Sequence, residues 1–368
     1  MIFMKKKYLI LFLVFSLSLR IKAQNAISYY NEINKAEIAI SNSLFGKAIK
    51  HYEVAFSLKN TPFIKDIRNA NLCALKINDY SNSFIFLEHL IKMGFSLECF
   101  NAKDYDSIKN THYWDKLKLV ISESKIKRNQ SLTNELKKRY FKEQNLSRQK
   151  NIDTIYYKRY VECVIENYER IRDIVKTYGF INESFHDREH CTDFSYTYFT
   201  FLHYYQLINL KSKLSKKKIK KFRFLINYNF NYNEIHQMLF NAVVQGKFLP
   251  STFASLEDII DPNNYGTLNF IQVNDTCGYV KYKEQNQIDY RRGLIGLCSI
   301  AESKEILNFK LKMNNKCPYP PYDKEEQKSC IYKQKSYEEF DLRSAKHQVF
   351  YFKKHSEGKE FFKSIVNK

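Results

Sequence analysis

The stretch FGKAIKHYEVAF, Phe45 to Phe56, decides the fold of the first half of the chain. Ala48, Tyr52 and Ala55 recur at intervals of four and three, with Lys50, His51 and Glu53 among the residues between them. That spacing lays an apolar stripe along one face of a helix. Shifting the chain against itself by 35 residues pairs Ala39 with Ala74, Ala48 with Ser83, Tyr52 with Leu87 and Ala55 with Leu90. A repeat of this length suits two antiparallel helices per unit, with small residues where the helices approach closely. The helical period holds from Ala26 to about Leu119, and glycine and proline fall between segments or, at Gly46, at a segment's start. The first half is therefore expected to be all helix.

The same stretch resembles the second helix of a tetratricopeptide repeat, with Ala48, Tyr52 and Ala55 at that family's small, aromatic and small positions. Ala36 stands as the small residue of the first helix. The family's tryptophan and tyrosine positions fall on Glu32 and Ala39 and its closing proline on Asn60, with Pro62 nearby. The resemblance implies stacked helix pairs with a concave surface suited to a protein or peptide. Residues 101–123 read as a faint third unit in which Trp114, Leu117 and Val120 cap the array. Trp114, the only tryptophan, reads as a core plug before it reads as a ligand platform.

Working outward, the N-terminus places Lys5, Lys6 and Lys7 ahead of the apolar run Tyr8 to Leu19 and a polar exit at Ala23-Gln24. This is the pattern of a secretory signal peptide. The run is shorter than the roughly 20 residues that cross a bilayer, so no retained transmembrane anchor is expected. The chain is then exported, to the periplasm or the outside. Its 368 residues carry 60 basic and 39 acidic side chains, a formal charge of +21 that becomes +16 once residues 1–23 are removed. With 44% hydrophobic residues and only 9 Gly and 6 Pro, collagen-like, disordered and multi-span membrane classes are excluded. None of the eight cysteines is spaced C-x-x-C, which disfavours zinc ribbons and thioredoxin-type centres. Cys317 and Cys330 flank a turn-rich loop that a disulfide would close at modest entropic cost. The four cysteines before residue 200 read as small hydrophobes in helical patterns.

The expected organisation is a signal peptide (1–23), helical repeats (24–122), an exposed connecting helix (123–151), a mainly helical domain (152–308) and a basic C-terminal extension (309–368). The fold class is mainly α: an antiparallel helix-pair array followed by a mostly helical domain. Within the second domain, Tyr160, Val164, Tyr168, Ile171 and Val175 form an apolar stripe closed by Gly179. Phe194 to Gln206 reads as a buried helix. Another helix opens at Asn233-Glu234 and ends near Gly246, Pro250 marks the turn after it, and Cys277 to Tyr282 suits a short strand.

Several pieces of this half together resemble an uncharacterised helical domain of secreted bacterial proteins, known only as a domain of unknown function. They are Gln144 with Arg148, Tyr178-Gly179-Phe180, His203, Leu249-Pro250, Ala254 to Asp258, Tyr265-Gly266-Thr267, and Asp289 to Arg292 with Ile295-Gly296-Leu297. They cover about residues 140–300. The chain departs from that pattern at Glu143, Ile259 and Leu268, where the domain has aspartate, arginine and glutamine. The resemblance implies an architecture and candidate positions, with a diverged or inactive copy of any site, and implies no reaction.

Two constellations carry candidate chemistry. His186 and His190 lie four apart, on one side of a helix, and can hold a divalent metal if Asp193 or His203 supplies a third ligand. The competing reading is a polar cluster at a helix start. His203 suits a general base oriented by a carboxylate such as Asp258, with Arg292 beside Arg291 as a clamp for carboxylate or phosphate. The competing readings are a satisfied core histidine and a buried ion pair between Arg292 and Asp258. No nucleophile elbow, phosphate loop or dinucleotide fingerprint occurs. No cofactor is expected beyond that metal. The basic run Lys211 to Arg223 suits an anionic envelope surface or a solvated helix face, and nucleic acid is not an expected partner of an exported chain. Sequence thus favours a protein- or peptide-binding module, with an enzyme sited in the second domain as the alternative.

Overall fold

A computed structural model describes residues 24–59, 61–123, 130–150, 153–180, 196–214, 220–267, 270–273, 276–279, 282 and 284–313. The chain is mainly α-helical. Its first half comprises α1 (24–41), α2 (Phe45–Ser57), α3 (Ile64–Lys76), α4 (Tyr80–Lys92), a short α5 (Asp106–Lys109) and α6 (His112–Glu123). Neighbouring helices pack in order, α2 on α3, α3 on α4 and α4 on α6, which is a repeat-like arrangement. Every residue matched by the 35-residue shift is buried: Ala39, Ala48, Tyr52 and Ala55 in one unit, Ala74, Ser83, Leu87 and Leu90 in the next. Leu117 is buried too, while Trp114 and Val120 pack partly buried against the core. α3 is interior on almost every side, since all its residues from Ile64 to Leu75 except Lys65 are buried.

The second half comprises α7 (Gln130–Gln149), α8 (Thr154–Tyr178), α9 (Tyr196–Leu214), a 3-10 stretch (Lys220–Asn227), α10 (Tyr232–Val244), α11 (Pro250–Ile260), α12 (Gln285–Leu294) and α13 (Ile300–Met313). Strands β1 (Phe270–Val273) and β2 (Thr276–Tyr279) form an antiparallel hairpin with Phe270 opposite Tyr279. Helix starts follow the side chains that satisfy their open N–H groups. Asp153 accepts from Tyr156 N at 2.9 Å at the head of α8. Asn231 accepts from Glu234 N at 3.1 Å, so α10 begins earlier than Asn233. Pro250 is the first residue of α11, where its missing N–H costs nothing, and not part of the preceding turn. Gly179 closes α8 at φ 80°, as its position predicts.

α7 was expected as an exposed connector, yet it carries Leu132, Leu136 and Glu143 into the interior and packs on α8 and α9. α9 is buried on two opposite sides. Thr200 and His203 face α7, while Phe201 and Tyr205 meet Phe248 and Glu257. The halves meet along α1. Tyr30 donates its hydroxyl to the carbonyls of Val243 and Phe248, both at 3.1 Å, and Asn34 Nδ2 donates to Gly296 O at 2.9 Å. One apolar core runs through both halves, from Ala26 to Ile295. Among the described residues no helix is long and apolar enough to cross a membrane. Cys73, Cys163 and Cys298 are free thiols. Cys99, expected as a buried thiol in a helix, lies instead on the 3-10 turn Leu97–Phe100 and is disulfide-bonded. Cys317 and Cys330 lie outside the described residues.

Candidate functional site

Where α7, α8 and α9 meet, an antiparallel α7–α8 pair presents Glu143 and Asn167 to each other, and α9 adds Thr200 and His203. Glu143 is fully buried. A carboxylate taken out of water destabilises the fold by several kcal/mol unless its lone pairs find donors. Here each oxygen has them. Oε1 stands 2.6 Å from His203 Nδ1, and Oε2 accepts from Asn167 Nδ2 at 2.7 Å and Thr200 Oγ1 at 2.9 Å. The carboxylate accepts the Nδ1–H, and this fixes the ring tautomer and orientation and leaves Nε2 as the nitrogen that can take a proton. His203 is 5% exposed and packs edge-on to Tyr160, with ring centroids 5.5 Å apart.

A second support lies one to two turns away on α7. Arg170 grips Glu135 through Nε at 2.7 Å and Nη2 at 2.8 Å, while Arg139 Nε reaches the same carboxylate at 3.0 Å. The Arg170 hydrogen bonds hold the Glu135 carboxyl down to about 2. Arg139 also donates to Asn167 at 3.4 Å, so the residue that binds Glu143 is itself positioned.

The three residues expected to form a catalytic set do not all meet. Tyr205, two positions after His203 and hence about 200° round α9, faces the opposite side and donates to Glu257 Oε1 at 2.5 Å. Asp258 belongs to that side. It accepts from Tyr265 N at 2.7 Å and from Thr267 N and Oγ1 at 2.6 Å each. Desolvation by burial pushes its carboxyl up to about 7. Arg292 donates through Nη1 to Tyr265 O at 2.8 Å and through Nε to Cys298 O at 2.6 Å. Asp258 and Arg292 therefore come together on the backbone of Tyr265, and His203 is paired elsewhere, with Glu143. Arg291 is also directed at backbone, donating to the carbonyls of Asn264 and Asn263 at 2.7 and 2.8 Å. The arginine clamp expected for carboxylate or phosphate is thus turned onto carbonyls of the chain.

Sequence reasoning did not single out His236 and Glu257. Glu257 is fully buried, takes the hydroxyls of Tyr205 and, at 2.6 Å, Tyr232, and stands 3.0 Å from His236 Nδ1. That carboxylate raises His236 above the ordinary imidazole range. The signal available was an acid inside an apolar helical pattern, Glu257 after Leu256 and Glu143 three residues after Tyr140. His186 and His190 lie outside the described residues, and among the described residues no group of three or more His, Cys, Asp or Glu is placed to hold a metal. Of the basic run, residues 215–219 are likewise outside. Lys211 turns inward, donating to Tyr228 O.

Comparison with protein-family models, with curated proteins and with solved structures finds no match to this chain.

Proposed function

We propose that the second half of the chain is a catalytic unit in which His203 transfers protons and Glu143 orients it, with the helix pairs of the first half as its scaffold. The observation that carries this reading is the fully buried Glu143 carboxylate, one oxygen on His203 Nδ1 and the other on Asn167 and Thr200. An oriented imidazole of this kind is the working part of a general-base site. A buried, hydrogen-bonded ionic cluster stabilises no better than apolar residues of the same volume, so its presence in a bundle core favours a chemical role. The alternative, a peptide groove along the inner helices, has less support, because Tyr30 and Asn34 on α1 are occupied by the second half and α3 is interior.

Export, the tetratricopeptide identity of the repeats and their junction to the uncharacterised secreted domain belong to the same proposal. They rest on the basic-then-apolar N-terminus, on the buried repeat positions and on the Cys99 disulfide, which suits an oxidising compartment. The mature chain, assayed against chromogenic esters, phosphomonoesters and glycosides, is expected to turn over one class. His203→Gln should lose about 100-fold or more in rate with its circular dichroism unchanged. Equal rates in the two proteins overturn the reading. Edman sequencing of protein recovered outside the cytoplasm should begin near Gln24.

A further inference from the structure

Lys150 stands one helical stripe from the Glu143–His203 pair and has no anionic partner among the described residues. Glu143, Ser147 and Lys150 follow one another at four and then three residues, so they share the side of α7 that faces α8. Antiparallel packing confirms the alignment: Arg139 meets Asn167, Lys142 meets Glu166, and Lys150 Nζ lies over the Tyr160 ring, 4.7 Å from its centroid. Tyr160 is the same ring on which His203 packs edge-on. Lys142, Lys158 and Lys176, all on the exposed surfaces of α7 and α8, each have a glutamate within 4 Å. Lys150 is partly buried, and among the described residues it meets the aromatic face of Tyr160 and no carboxylate.

We propose that Lys150 is the anion-binding position of the His203 site, so that its ligand carries a carboxylate or phosphate group. The inference rests on the catalytic reading of His203 and adds a substrate class to it. A partly buried ammonium with no counter-charge is held at a cost in desolvation, which a bound anion relieves. Burial lowers Lys150 to about 8, and no carboxylate among the described residues opposes that shift. The ring of Tyr160 accepts the cation on its face without neutralising it. An anionic group held on Lys150 would lie against the Tyr160 ring that His203 also contacts, so its binding should be felt at the imidazole.

The test uses the mature full-length chain labelled with 15N and follows the His203 ring signals, assigned by their loss in His203→Gln. Inorganic phosphate and acetate are titrated separately. A saturable shift of His203 with either anion is expected, weakened about tenfold or more in Lys150→Gln, a loss of about 1.4 kcal/mol, and kept in Lys158→Gln. A response to phosphate alone assigns a phosphoryl group, and to acetate alone a carboxylate. Removing a buried charge should not unfold the chain, which thermal unfolding of Lys150→Gln checks. If neither anion shifts His203, or Lys150→Gln responds like the parent, the anion position is overturned. The catalytic reading then still stands or falls separately, on turnover by His203→Gln.

Discussion

Tyr30 lies so close beneath Gly296 that a methyl group on the glycine would stand 2.7 Å from Tyr30 Cβ. The glycine also adopts φ +78°, a region other residues enter at a cost. Both facts come from one junction, where α1 of the first half meets the turn between α12 and α13. Gly296→Ala combines backbone strain with overpacking and should destabilise the chain by about 2–4 kcal/mol. Gly293, exposed within α12, is the contrast, because a methyl group placed on it would meet nothing within 4 Å. Its change to alanine should stabilise by roughly 0.5–1 kcal/mol. Urea unfolding of both variants gives the comparison, and equal midpoints would count against the junction.

The repeat predicts a non-additive pair. The 35-residue shift places Asn71 where Ala36 stands and Ser83 where Ala48 stands, and all four are buried. In the second unit Ser83 Oγ donates to Asn71 Oδ1 at 2.7 Å. Ser83→Ala alone leaves a buried amide without that donor and should cost about 1–3 kcal/mol. Asn71→Ala with Ser83→Ala gives the second unit the two buried alanines of the first and should recover most of the loss. A double-mutant cycle measures the coupling, and strictly additive losses would refute the equivalence of the two units.

These two cases show what a linear reading reaches. Ala48, Tyr52 and Ala55 were legible because a repeat presents the same spacing twice, and helical period alone places them on one face. The buried helix through His203 was legible for the same reason, as an apolar run without breaks. Glu143 was not, because α7 is polar overall and one buried carboxylate among lysines and glutamines leaves no periodic trace. Its partner Asn167 lies 24 residues away on an antiparallel neighbour, a distance set by packing and not by any local pattern. Asp258 and Arg292 were read as members of a catalytic set or as an ion pair, whereas what they share is the backbone of Tyr265, which carries no side-chain signature at all.

Stability should fall as pH rises across the acidic range. The Asp258 carboxyl is pushed up to about 7 in the folded chain from an ordinary 3.8, chiefly by burial, and burial pushes Asp66 up to about 6. Between the unfolded and folded values the folded state holds protons that the unfolded state has lost. The stabilisation from these groups is therefore complete below about pH 4 and lost as pH rises through 6 and then 7. Glu135, held near 2, acts in the opposite sense, and its contribution is lost only as pH falls below about 4. Unfolding free energies measured from pH 4 to 8 should decline, and Asp258→Asn should flatten the upper part of that decline. A curve of the same slope in both proteins would remove Asp258 from the account.

Glu143 offers the sharpest separation of structure from chemistry. Glu143→Ala leaves Asn167, Thr200 and His203 facing a void with their donors unanswered, and should cost about 3–5 kcal/mol. Glu143→Gln keeps the volume and one acceptor oxygen, which can still serve Asn167 and Thr200 at the position of Oε2. Its amide then meets His203 Nδ1 as a donor, so the ring must offer a lone pair there and carry its proton on Nε2. The fold should survive this change with a smaller loss, while the tautomer of His203 inverts. Nitrogen-15 shifts of the ring distinguish the two tautomers directly. On the general-base reading, turnover should collapse in Glu143→Gln despite intact folding, because the nitrogen that must accept a proton already holds one. Inverted tautomer with undiminished turnover would leave Glu143 a structural residue and move the search for the catalytic group to His236 beside Glu257.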